Sequence, residues 1–211
     1  MITLFYTQFR TPITAEKWAF YYQELPFDIR ERIQRYRKEE NKYQLLLGRM
    51  LLKKGMQELK VANFRLADMQ YDEFSCPKWS QQPNFNIAHS ANVVGCAFAT
   101  NYPVGLDIEQ VRPIDLSNFA YILNTLDKKN IKAASDPYAA FFKIWTIKEA
   151  VTKAIGKGLA MDVQQIFIEE KFAIFDKTQW YYQTLNLAEN VAACIVTNSP
   201  TLDITIHQCD F

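Results

Sequence analysis

Charged residues set inside apolar runs constrain a chain strongly, because burial forces each charge to find a partner. This chain has two such stretches. Gly105-Leu106-Asp107-Ile108-Glu109 alternates apolar and acidic residues, and on a strand that spacing turns both carboxylates to one face. Gly105 permits close backbone approach where the strand begins. Trp145-Thr146-Ile147-Lys148-Glu149-Ala150-Val151-Thr152-Lys153 has the period of a helix, with Glu149 and Lys153 four apart on one face. That helix is expected from about Tyr138 to Ile155, closed by Gly156 and Gly158. Phe141, Phe142, Ile144, Trp145, Ile147 and Val151 make it largely apolar, so its charges must pair or bind something. Taken alone, the two spacings also suit a solvated edge strand and a surface ion pair worth about 0.2–0.5 kcal/mol. Taken together, three carboxylates with Lys148 and Lys153 suit one hard cation and a phosphate-bearing substrate.

The 211 residues, 49% of them hydrophobic, suffice for one large or two small cores. The net charge of +1 gives no long-range field for nucleic acid. Cys76, Cys96, Cys194 and Cys209 form no CxxC pair, which argues against zinc and for reduced buried thiols. The opening Met1–Tyr6 lacks a basic leader and has the pattern of a strand, and no run reaches membrane-spanning length. A reducing cytoplasm is the expected setting.

A helix is expected over about Ala15–Leu25, ended by Pro26, and a long one from Asp28 to about Gly55, with Gly55 as its stop. Its apolar face is Ile29, Ile33, Tyr36, Tyr43, Leu46, Leu47, Met50 and Leu51, and its other faces are rich in arginine and lysine. Strands follow over 85–88, 93–99 and 104–109, with a turn at Asn101-Tyr102-Pro103. Helical pieces over 117–123 and 126–134 come next, the second with capping-box spacing between Asn124 and Asp127. After the strong helix, strands are expected at 166–169, 172–175, 180–185, 191–197 and 203–208. The alternation implies an α+β protein of two similar halves, 1–102 and 103–211, each a long helix packed on a small antiparallel sheet. His89 and His207 are too few and too far apart for a histidine metal site. No P-loop, GxGxxG or GxSxG motif is present.

Three motifs carry a family resemblance: Phe85-Asn86-Ile87-Ala88-His89-Ser90, Gly105–Glu109, and Trp145–Ala150 with Lys153 followed by Gly156-Lys157-Gly158-Leu159. In this order and spacing the chain resembles the Sfp-type 4′-phosphopantetheinyl transferases. The Gly48-Arg49 helix segment and the Pro77-Lys78 loop are weaker matches, and Ala88 and Trp79 stand where the family commonly has serine and proline. The resemblance implies the pseudo-twofold fold of that family, with coenzyme A held between the halves. It implies transfer of 4′-phosphopantetheine from coenzyme A to a serine of an apo carrier protein (acyl or peptidyl), dependent on Mg²⁺ and releasing 3′,5′-ADP. Asp107, Glu109 and Glu149 match the Mg²⁺-binding acids, and Glu149 also the proposed base, acting directly or through a water. Asp107, Glu149 and Lys153 are the expected catalytic residues. Arg49, Lys78, His89, Ser90, Lys148 and Lys153 are expected at the coenzyme, with Arg49 and His89 at its 3′-phosphate and Gln44 unable to supply charge there. The carrier is expected to dock on Ile114, Leu116 and Phe119, its acids meeting Arg112, Lys128 or Lys129; alternatively these apolar residues fill the second half's core. A monomer suffices, without nucleic acid or membrane. The competing readings are a catalytically weak carrier-binding module of the same fold and a Mg²⁺-dependent phosphohydrolase.

Overall fold

The structure is a computed structural model that describes residues 1–9, 13–71, 77–158 and 161–211. The first half runs β1 (Ile2–Gln8), α1 (Ala15–Gln23), α2 (Phe27–Arg35), α3 (Glu39–Glu58), the two-residue strands β2 (Gln70–Tyr71) and β3 (Pro77–Lys78), β4 (Asn84–Ser90) and β5 (Val93–Ala99). The second runs β6 (Val104–Gln110), α4 (Thr125–Ala133), α5 (Pro137–Ile155), β7 (Phe167–Ile168), β8 (Phe172–Phe175), β9 (Thr178–Leu185), β10 (Val191–Thr197) and β11 (Ile204–Gln208). Two sheets result, ordered β11-β1-β5-β4 and β6-β10-β9-β8-β7. The second is antiparallel throughout, and the first gains one parallel pair where β11 lies along β1, Ile2 opposite Ile204. The second half thus lends its last strand to the first half's sheet.

Each long helix covers one sheet. Leu46, Leu47, Leu51 and Met56 of α3 pack on Val94, Cys96 and Phe98 of β5, while Ile147, Ala150 and Val151 of α5 pack on Cys194 and Val196 of β10. A third cluster joins the halves, with Leu4, Val93 and Ala97 against Leu106, Ile108 and Ile195. Strand β5 is therefore buried along its whole length. Alternation on β6 follows from this layering: Val104, Leu106 and Ile108 enter the shared core, and Gly105, Asp107 and Glu109 take the other face, towards α5.

Gly105 fixes how close that helix comes. A Cβ there would lie 1.9 Å from the Ala150 carbonyl oxygen and 2.8 Å from the Ala154 nitrogen. Both are backbone atoms, so no side chain can rotate away. The same logic explains Gly55, expected as a helix stop: α3 continues to Glu58, and the Phe98 ring occupies the place of a Cβ, 2.2 Å away. The expected single helix from Asp28 is two, because Tyr36 is extended (ψ 130°) and lets α2 turn against α3. Three linking residues span most of one turn, so the apolar period carries across the break. Over 117–123 the chain forms a 3-10 turn, Leu116–Phe119, whose Asp115 side chain accepts from the Ser117 N–H. Helix α4 has its capping box, and α5 ends on Gly156 at φ 75°.

Among the described residues no helix is long and apolar enough to cross a membrane. Cys96, Cys194 and Cys209 are free and buried, and burial pushes all three thiols up; Cys76 lies outside the described residues.

Gly105→Ala is expected to destabilise the protein by about 3 kcal/mol or more, the upper range for an added core methyl, because backbone must move. The urea midpoint checks this; an unchanged midpoint would mean that the helix and strand are not so close.

Candidate functional site

Edge strands β4 and β6 run side by side where the sheets meet. The Asn86 Oδ1 accepts the Leu106 N–H at 2.9 Å, and the Ser90 Oγ accepts the Gln110 N–H at 3.0 Å. With α5 drawn onto Gly105, Asp107 and Glu109 of β6 come beside Glu149 and Lys153 of α5. Lys153 Nζ donates to Asp107 Oδ1 at 2.6 Å. Asp107 is 4% exposed, and its Oδ2 is buried with no hydrogen-bond partner among the described residues. Glu109 and Glu149 are half-buried. Glu109 Oε2 accepts from the Ser90 hydroxyl at 3.2 Å and Oε1 from the Trp145 indole N–H at 3.3 Å.

The electrostatics follow from this crowding. Burial lifts Asp107 to about 7; Lys153 opposes the rise, and Glu109 and Glu149 add to it. Burial also raises Glu149, with Lys153 opposing and Glu109 assisting. For Lys153, burial pulls downward, but Asp107, Glu149 and Glu109 outweigh it and hold the ammonium above its ordinary value. Fully ionised, three carboxylates and one ammonium carry a net charge of minus two. Among the described residues no three His, Cys, Asp or Glu side chains converge as a ready set of metal ligands. The acids instead surround a lysine. The orphaned Asp107 Oδ2 and the doubly negative surplus fit a divalent cation with oxygen ligands.

A cavity of about 280 Å³ opens next to this cluster, lined by Arg32, Tyr36, Gln44, Arg49, Ile87 and His89 among others. Arg49 is 5% exposed; its Nη2 reaches the Tyr71 hydroxyl at 3.5 Å, and its Nε has no partner among the described residues. Desolvation by the surrounding protein, then the charges of Lys153 and Arg49, pull His89 below its ordinary pKa, although its side chain is exposed at the surface. The Gln44 amide donates to the Ala91 carbonyl at 2.8 Å. Lys78 is exposed on β3, and neighbouring Trp79 packs edge-on to Phe64.

Two residues expected at the coenzyme are held by protein partners. Lys148 is 0% exposed, and its ammonium meets Asp127 Oδ2 at 2.6 Å, the Ile122 carbonyl at 2.9 Å and the Val163 carbonyl at 3.1 Å. All three of its donors are used inside the second half, so it is a structural tie from α5 to α4. Ser90 turns to Glu109, not to the cavity. The expected docking residues are also corrected in part. Ile114, Leu116 and Phe119 pack on the cluster around Phe141, with the Phe119 ring 5.3 Å from Phe141 and 6.2 Å from Trp145. Leu116 also lines an open apolar groove of about 380 Å³ with Leu123 and Ile131, rimmed by Lys128 and Lys132. Arg32 brings the cation-rich helix face to the cavity, whereas Trp145 was not expected at the site. Trp145 was legible: it stands four residues before Glu149, hence on the same face of α5.

The α+β fold thus sets an acid–lysine cluster near a cavity lined by arginine and histidine. Residues 103–196 match the 4′-phosphopantetheinyl transferase superfamily. The 4′-phosphopantetheinyl transferase gsp of Aneurinibacillus migulanus is 30% identical over 173 residues, 81% of this chain and 72% of that one. The 4′-phosphopantetheinyl transferase Sfp of Bacillus subtilis (strain 168) is 25% identical over 74% of this chain and 71% of its own. The holo-[acyl-carrier-protein] synthase (AcpS) structure from Thermotoga maritima matches 45% of this chain and 61% of its own at 17% identity, with a TM-score of 0.38. The chain belongs to the Sfp-type 4′-phosphopantetheinyl transferase family.

Two measurements test the cluster. Unfolded, Asp107 has an ordinary value near 3.8, against about 7 in the fold. Between roughly pH 4 and 7 the native state therefore keeps a proton that the unfolded chain has released. Stability of the metal-free protein is expected to fall as pH rises through that window and to level off above it. Glu149 acts with the same sign. Urea midpoints against pH check this, and Asp107→Asn should flatten the slope. Lys148→Met is expected to cost about 3–5 kcal/mol, because it leaves the buried Asp127 carboxylate without its counter-ion. Its affinity for coenzyme A, measured by calorimetry below the melting range, should be unchanged. A selective loss of affinity would restore Lys148 to the coenzyme.

Proposed function

We propose that this chain moves 4′-phosphopantetheine from coenzyme A to the serine hydroxyl of an apo carrier protein. The observation that carries the reading is the cluster of three carboxylates around Lys153, beside a cavity lined by Arg49 and His89. Family membership supports the reaction class. Asp107, Glu109 and Glu149 would hold Mg²⁺, with the orphaned Asp107 Oδ2 turned to it. When bound, the ion supplies charge neutralisation to the pyrophosphate.

The remaining steps belong to the protein. Arg49 and His89 bind the 3′-phosphate: Arg49 supplies fixed charge, and a phosphate beside His89 draws a proton onto the ring. Lys153, released from Asp107, meets charge on the phosphates as the bond to the leaving group lengthens. Glu149, raised by burial, takes the proton from the carrier serine. The serine oxygen forms a bond to the phosphorus bearing pantetheine, the bond from that phosphorus to 3′,5′-ADP breaks, and the nucleotide leaves. The carrier sits beside α4, where Leu116, Leu123 and Ile131 offer an apolar seat and Lys128 and Lys132 complement an acidic partner. One chain supplies both walls of the site, so a monomer suffices, and buried free thiols suit a cytoplasmic setting.

Intact-mass measurement tests the reading. An apo carrier protein incubated with the enzyme, coenzyme A and Mg²⁺ should gain one phosphopantetheine, and Lys153→Ala should slow the gain by about 10²-fold. Coenzyme A hydrolysis without carrier would select a phosphohydrolase. Carrier binding without mass gain would select a weak binding module.

A further inference from the structure

Glu109 has neutral donors on both oxygens: the Ser90 hydroxyl on Oε2 and the Trp145 indole N–H on Oε1. The donors come from different halves. Ser90 ends β4 of the first sheet, and Trp145 lies on α5 of the second half. Each donor is itself held. Ser90 Oγ accepts the Gln110 N–H, which leaves its single proton for Glu109. The Trp145 ring is stacked on Phe141, 6.3 Å away at 11°, and meets Phe119 edge-on, so the direction of its N–H is set by packing.

We infer that Ser90 and Trp145 form a two-sided clamp that presets the orientation of the Glu109 carboxylate for the divalent ion. Both are positioning residues and act through Glu109. The inference rests on the proposal that Glu109 is a ligand of the ion. The physical argument is preorganisation. A free glutamate must freeze three side-chain torsions to bind a cation, whereas one gripped at both oxygens has done so on folding and keeps a second lone pair on each oxygen. Donors to a ligating carboxylate commonly tune ion affinity by 10–100-fold, and these fall in that class. Because the grip spans both halves, it also ties the ion's ligand geometry to the seating of β4 against β6.

Mn²⁺ binding to the free protein, read by electron paramagnetic resonance without coenzyme or carrier, separates the possibilities. Trp145→Phe keeps a ring against Phe119 and Phe141 and removes the N–H. Ser90→Ala removes the hydroxyl, and Ser90→Thr retains it. The dissociation constant is expected to rise about 10-fold in Trp145→Phe and in Ser90→Ala, and to recover in Ser90→Thr. Unchanged Mn²⁺ affinity in Trp145→Phe and Ser90→Ala overturns the clamp, as does an equal loss in Ser90→Ala and Ser90→Thr, which marks a packing effect. Glu109→Gln is the control. If it weakens Mn²⁺ while the clamp variants do not, only the clamp falls. If it binds Mn²⁺ as the unmodified protein does, the ligand reading of Glu109 fails and the clamp with it.

Discussion

The approach of α5 to β6 at Gly105 is the constraint on which the site depends. With the Ala150 carbonyl where a methyl would be, helix and strand touch backbone to backbone. That contact lets Lys153 reach Asp107 at 2.6 Å and sets Glu149 near Glu109. A side chain at position 105 would hold the helix away, and the acids would face an open groove. The apolar packing behind the contact, Ile147, Ala150 and Val151 on Cys194 and Val196, keeps the pair closed without help from the charges.

That packing gives the cluster its unequal charge. Among the described residues, three carboxylates share one close lysine, and the oxygen of Asp107 left over has no partner. Such an arrangement is costly in the empty protein, since desolvated like charges repel and one oxygen is unsatisfied. In the proposed function an incoming cation would relieve that cost and free Lys153 for an anion. Strain stored at a site and relieved by its ligand is a common mark of function. The second half contrasts this with a fully matched buried pair: Lys148 and Asp127 satisfy each other and two carbonyls, and they hold α4, α5 and the chain near Val163 together.

Local spacing made the acids legible. Period two puts Asp107 and Glu109 on one face of a strand, and a step of four aligns Glu149 with Lys153. The fold class and most element positions followed from the same periodicities. What escaped the sequence was partner choice across the chain. Adjacent Lys148 and Glu149 diverge by about 100° on a helix, so a helix packed on two sides sends them to different partners, although a shared motif suggests one site. Ser90 stands next to His89 but on the opposite face of β4, which directs it to Glu109. Strand signals at 204–208 do not name a partner strand, and that strand joins β1 in parallel. The break between α2 and α3 left the apolar period intact and so left no trace in it.

The central claim is that Asp107, Glu109 and Glu149 close on one divalent ion while Lys153 turns to the coenzyme. Anomalous diffraction from crystals grown with Mn²⁺ and coenzyme A tests it most directly. The account predicts one strong peak among these three carboxylates, with Lys153 Nζ moved from Asp107 Oδ1 to a phosphate oxygen. A peak held by other residues, or a Lys153–Asp107 contact unchanged beside bound coenzyme A, would contradict it.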